Sequence, residues 1–145
     1  MLGKITSIKD NNVYVALSVN VYDMDNIIGK NVVFDNHIIG EVSNMSNSVM
    51  EVSLIGEIKD NKFIYGNLTK PSFKSECRII SGPELDIIYN VDKTKNVVKI
   101  GKSFLYNSYD VYLNINSFFA NHFAILGNTG SGKSYSVSRL LQGIF

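Results

Sequence analysis

A single cysteine, Cys77, among 145 residues leaves no partner for an intrachain disulfide. A lone thiol without a matching His and Asn pattern is a poor catalytic nucleophile, so Cys77 reads as structural. Only two histidines occur, His37 and His122, with no second ligand at metal-site spacing; both read as solvated or structural rather than as zinc ligands. No run approaches the ~20 apolar residues that span a bilayer, and Met1-Leu2-Gly3-Lys4-Ile5 lacks the apolar stretch of a signal peptide. Cytoplasmic residence, with no membrane partner, is the expectation. A pronounced basic stripe is missing too: residues 1–96 carry ten basic and twelve acidic groups, and residues 97–145 carry four and one. Neither balance makes the electrostatic footprint of a chain that binds nucleic acid by itself.

What is present suits a folded globular chain, with 45% hydrophobic, 11% aromatic and 19% charged residues. From Leu2 to about Tyr89 the apolar residues come in short runs at period two, separated by turn-forming clusters, and helical periodicity is absent. Ile5 and Ile8 lead into Asp10-Asn11-Asn12, and Val13-Tyr14-Val15-Ala16-Leu17 leaves that turn as a strand. Asp35-Asn36-His37 lies between Val32-Val33-Phe34 and Ile38-Ile39-Gly40-Glu41-Val42, and Lys59-Asp60-Asn61-Lys62 between Met50–Ile55 and Phe63-Ile64-Tyr65. Repeated hairpins of this kind predict a small antiparallel barrel, with Gly3, Gly29, Gly40 and Gly56 at bulges or bends. The Tyr and Phe residues scattered through the strands are read as mostly core, because base-stacking platforms need basic neighbours that are sparse here.

Lys70-Pro71-Ser72 and Ser81-Gly82-Pro83-Glu84 read as breaks, and Asp92-Lys93-Thr94-Lys95-Asn96 as a solvated connector. The expected division is a barrel over 1–92 and a second domain from 97. Val97–Ile100 and Val111–Ile115 resemble strands, and His122-Phe123-Ala124-Ile125-Leu126 resembles a buried parallel strand. Val137, Leu140, Leu141 and Ile144 then fall at i, i+3, i+4 and i+7, one stripe of a helix.

Between that run and that stripe stands Gly127-Asn128-Thr129-Gly130-Ser131-Gly132-Lys133-Ser134. It fits Gly-x-x-x-x-Gly-Lys-Ser, a pattern whose chance occurrence in such a chain is on the order of one per cent. In such a loop the backbone N–H groups from Asn128 to Ser134 turn inward at the positive end of a helix and form a nest for phosphate oxygens. Lys133 is assigned to the β- and γ-phosphates, and the Ser134 hydroxyl to Mg²⁺. The predicted cofactors are therefore ATP and Mg²⁺. A GTPase would need a guanine-reading Asn/Thr-Lys-x-Asp segment, which this sequence does not contain.

The stretch Ile100-Gly101-Lys102-Ser103, Asp110–Asn116 and Asn121–Ser134 resembles the HerA family of hexameric DNA-translocating ATPases of the HerA–FtsK group. Leu2-Gly3-Lys4-Ile5, Ile28-Gly29-Lys30-Asn31-Val32, Ile39-Gly40-Glu41-Val42, Leu54-Ile55-Gly56-Glu57-Ile58 and Pro71 resemble that family's N-terminal HAS-barrel. The resemblance implies a mainly β fold: an N-terminal antiparallel β-barrel, then the beginning of an α/β RecA-like ATPase domain as strand, P-loop and helix over 97–145. It implies an ATP-driven helicase or translocase, six subunits around DNA, and a barrel that assembles the ring or docks a nuclease or a phage-defence effector. The sequence stops at Phe145, inside the helix expected after the loop, and is read as the N-terminal part of a longer ATPase. The acidic Walker B residue, the catalytic carboxylate and the arginine finger that the family implies have no counterpart in it. By itself the 145-residue chain is expected to bind ATP weakly and not to turn it over. The competing reading is a β-barrel oligomerisation or docking module with a non-catalytic phosphate loop.

Overall fold

The computed structural model describes residues 1–20, 26–66, 69–107 and 109–144, which fall into two compact units, Met1–Asn90 and Val91–Phe145. In the first unit seven strands are β1 (Gly3–Lys9), β2 (Asn12–Leu17), β3 (Asn31–Phe34), β4 (Ile38–Ser46), β5 (Val49–Lys59), β6 (Lys62–Tyr65) and β7 (Cys77–Ile79). All pairings are antiparallel, in the order β1-β2-β5-β4-β3-β7, with β6 attached to β5. The sheet curls into a half-barrel, and its two end strands meet where the Leu2 N–H donates to the Cys77 carbonyl at 2.8 Å.

The curl comes from β5. One edge of this eleven-residue strand pairs with β4, while the other pairs first with β2 and then, from Gly56, with β6. The register shifts where Ile39 faces Gly56 but Gly40 faces Leu54, so Ile55 is an extra residue and the strand bends there. The bend at Gly40 and Gly56 agrees with the sequence expectation.

The three hairpins read from the sequence form as expected, and a fourth joins β4 to β5. Its turn residues Asn47 and Ser48 have φ of 50° and 61°, and Asp60 and Asn61 in the β5–β6 turn have 50° and 58°. Two successive positive φ values match the right-handed twist of two-residue hairpins, and Asn and Asp tolerate them. Ile5, Val13, Val15, Phe34, Met50 and Val52 lie on the inner face and form one core with their neighbours. Each such side chain contributes roughly 1.5–3 kcal/mol by leaving water.

The first unit is not all β. Ser81-Gly82-Pro83-Glu84, read as a break, opens a helix, α1 (Gly82–Ile88). The Ser81 N–H donates to Glu84 Oε2 at 2.9 Å, and the Ser81 hydroxyl donates to the same oxygen at 2.7 Å. Pro83 lacks only an N–H that the first turn leaves unused. Helical periodicity could not betray a seven-residue helix, but the Ser-x-x-Glu spacing could have. Arg78 of β7 clamps this helix through both its Nη atoms, at 2.9 and 2.6 Å from the Glu84 carboxylate.

The second unit holds β8 (Val97–Lys102), β9 (Asp110–Asn114), α2 (Ile115–Phe119) and α3 (Lys133–Gln142), with β8 and β9 paired as a hairpin. Its entry is an ordered turn, in which the Asp92 carboxylate accepts from the Thr94 N–H and hydroxyl and pairs with Lys95 at 3.1 Å. Two expectations need correction. Ile115 does not end a strand but opens α2, because Asn114 accepts from the Ser117 N–H at 2.9 Å and caps the helix. His122–Leu126 is neither a strand nor buried: Leu126 is 88% exposed. A parallel strand needs a neighbour for its ladder, and β8 and β9, the strands described in this unit, pair with each other. Instead Phe123 stacks on Phe118 of α2 at 4.2 Å between ring centroids.

Candidate phosphate-binding site

Gly127 to Ser134 occupy one continuous turn leading into α3. Gly130 and Gly132 have φ of 82° and 86°, a region that costs an L-residue roughly 1–2 kcal/mol. A Cβ at either would meet nothing within 4 Å, so the space beside their amides is open. Gly127 differs: a Cβ there would lie 2.5 Å from the Ser131 hydroxyl, and the loop doubles back against its own first residue.

Two donors converge on one carbonyl. The Ser131 N–H donates to Asn128 O at 3.1 Å, and Lys133 Nζ donates to the same oxygen at 2.6 Å. The lysine ammonium is thereby held across the loop rather than extended into solvent. Gly132 is the N-cap of α3, whose first turn is closed by the Ser136 N–H and hydroxyl on Gly132 O, at 2.9 and 3.0 Å. That first turn contains no acidic side chain, and Arg139 sits in the last turn. The positive end of the helix dipole is therefore left uncompensated where the loop meets it. Ser134 is exposed one residue beyond Lys133 in the first turn, and Thr129 and Ser131 are exposed on the loop.

All eight residues singled out from the sequence are thus contiguous in space as well as in sequence. The open amides, the helix end and Lys133 suit a polyanion such as a triphosphate, and the exposed Ser134 hydroxyl suits an accompanying divalent cation. Sequence reading missed a half-open cleft of about 420 Å³ beside α3, lined by Val98, Leu113, Phe118, Ile125, Tyr135 and Arg139. Its walls come from four separate segments, so no local signal announces it.

Cys77 is buried, and burial pushes its thiol up to about 12, which keeps it protonated. The His37 ring meets Asp35 O at 2.8 Å within its turn, His122 is exposed, and no metal-binding group of three His, Cys, Asp or Glu exists among the described residues. No helix among them is long and apolar enough to cross a membrane.

Comparison with known proteins bears on the same segment. Residues 98–145 match the family model described as the central domain of helicase HerA. The chain is also similar to a probable DNA double-strand break repair helicase HerA of Methanocaldococcus jannaschii. Identity is 35% over 101 residues, covering 70% of this chain and 19% of that protein, so the chain spans about a fifth of its relative's length. The glycine loop at the head of α3 lies inside the matched region, and the two matches together place this chain in the HerA family.

Proposed function

We propose that Gly127–Ser134 binds the phosphates of ATP together with Mg²⁺, and that this site serves an ATP-dependent DNA translocase or helicase. The observation that carries the proposal is the loop at the head of α3. Its two positive-φ glycines leave open amides at a helix end without acidic residues, and Lys133 is held over them. A phosphate oxygen would compete with Asn128 O for the Lys133 ammonium, and the amides from Asn128 to Ser134 would orient the β- and γ-phosphates. Ser134 would hold the cation, which when bound neutralises charge on the phosphate oxygens.

In the same reading the protein works in the cytoplasm as a hexameric ring around DNA, and the half-barrel assembles the ring or docks a nuclease or defence effector. Hydrolysis needs an acidic residue on the Mg²⁺ side, a water-orienting carboxylate and an arginine finger, and residues 1–145 are assigned none of these roles. The 145-residue chain should therefore bind ATP weakly and hydrolyse none above background. Holding the loop rigid costs ~1–2 kcal/mol per ordered residue, and α3 contributes no fully buried residue to anchor it.

Calorimetry with a non-hydrolysable ATP analogue, beside phosphate release from a protein carrying the missing groups, tests the assignment. Lys133→Ala should lower ATPase turnover at least a hundredfold and leave barrel melting unchanged. Near-normal turnover in that variant excludes the role given to Lys133. Complete indifference of the wild-type loop to ATP would favour a docking module with a non-catalytic loop.

A further inference from the structure

The side of α3 that lines the half-open cleft is not the apolar stripe read from the sequence. Tyr135 and Arg139 are spaced i, i+4 along the helix, and so are Ser136 and Leu140, so these side chains stand together on one side. All of them line the cleft of about 420 Å³, together with residues of β8, β9 and α2; Leu140 alone also belongs to the stripe. Gly143 follows on the same side, and a Cβ there would lie 2.5 Å from Val98 Cγ2. The missing side chain lets the end of α3 rest on β8. Along the helix the cleft therefore runs from that contact back to Tyr135, the residue immediately after Ser134 of the phosphate loop.

A cleft of this size suits a small organic molecule, and its chemistry narrows the occupant. Its walls are mainly aliphatic, with two flat rings, Phe118 and Tyr135. Lys99 is already paired with Asp110 at 2.8 Å, and the Ser136 hydroxyl donates to Gly132 O at 3.0 Å. The walls therefore offer ring faces and aliphatic surface far more than free hydrogen-bonding groups. No carboxylate stands among the described lining residues, and the charged ones are Lys99 and Arg139. Nothing there repels a ligand whose phosphates enter the adjoining loop. A flat, weakly polar ring joined to a polyanion meets each of these conditions.

We infer that the cleft takes the purine base of the nucleotide whose phosphates occupy Gly127–Ser134, held against the rings of Tyr135 and Phe118. This rests on the phosphate site proposed above and adds to it the residues that hold the base. Stacking uses the face of a ring and not its hydrogen-bonding edge, so the larger purines are preferred to pyrimidines. Arg139, a planar cation one turn beyond Tyr135, lies beside the base and favours its electron-rich face.

The test is NMR titration of the 145-residue chain, with Mg²⁺, against ATP, CTP and ribose 5′-triphosphate, which keeps the sugar and phosphates but has no base. ATP should bind at least about fivefold more tightly than ribose 5′-triphosphate, with CTP between them. The adenine protons should show NOEs to the Tyr135 and Phe118 rings. Tyr135 is 75% exposed, so its replacement leaves the fold intact. Tyr135→Ala should shrink the advantage of ATP over ribose 5′-triphosphate at least about threefold, and Tyr135→Phe should preserve it.

Equal binding of ATP and ribose 5′-triphosphate, both lost in Lys133→Ala, leaves the phosphate site standing and overturns the base assignment. An ATP advantage that survives Tyr135→Ala undiminished overturns it as well, as do NOEs that place the base outside the cleft. If none of the three ligands binds in a way that depends on Lys133, the phosphate site itself fails and this inference fails with it.

Discussion

The two units solve the same problem to different degrees. In Met1–Asn90 the period-two runs converge on one interior, and Val13, Val15, Phe34, Val42, Met50 and Val52 are completely removed from water. Among the described residues of Val91–Phe145 the buried apolar ones are Val98 and Tyr109, and the apolar stripe of α3 is largely uncovered, with Leu141 43% exposed. The half-barrel closes its core within itself. The loop unit owes its shape to local devices: a cap on α2, two left-handed glycines and a lysine folded over a carbonyl. The glycine loop thus takes shape from backbone geometry alone, whereas holding it rigid demands packing.

The sharpest way to break this contrast is to damage each core in turn. Phe34→Ala empties a fully enclosed position and should cost about 3–5 kcal/mol, read as a lower urea midpoint of the barrel. An effect below about 1 kcal/mol would mean that the half-barrel repacks freely. Acid offers a second probe. The Arg78 guanidinium beside Glu84 holds its carboxyl down at about 2, below the ordinary 4.5. Its contribution is therefore full above the unfolded value and is lost as pH falls from about 4.5 toward 2. The pair is partly solvated, so the loss should be about 1–2 kcal/mol rather than the full value of the shift. Glu84→Gln should flatten the stability profile over that pH window.

Smaller effects are expected in the loop unit. Gly132→Ala forces an alanine to φ 86° and should cost about 1–2 kcal/mol locally. Amide exchange at Ser136, whose N–H closes the first turn of α3, should quicken while barrel exchange stays fixed. Leu141→Ala, half in water already, should change stability by no more than about 0.5 kcal/mol. A larger loss would show that the helix stripe is more deeply packed than its exposure indicates.

Alternation of apolar residues and Asn/Asp turn clusters were enough, from sequence alone, to determine the hairpins and the mainly β character, and the glycine spacing marked the turn that enters α3. Those features depend on contacts within a few positions along the chain, where residue type dictates φ and face. The two-residue turn between β4 and β5 escaped because Asn47-Ser48 is a weaker turn signal than Asn-Gly, and α1 escaped because it is too short to display a period. His122–Leu126 looked like a buried strand because its composition is apolar, but strand identity requires a neighbour for the ladder, and composition supplies none. The bend at Ile55, the seam between Leu2 and Cys77 and the clamp of Arg78 on Glu84 were decided only by tertiary structure. The bend and the seam depend on the curvature of a sheet, a property that no window of sequence contains, and the clamp depends on the angle at which β7 hands the chain to α1.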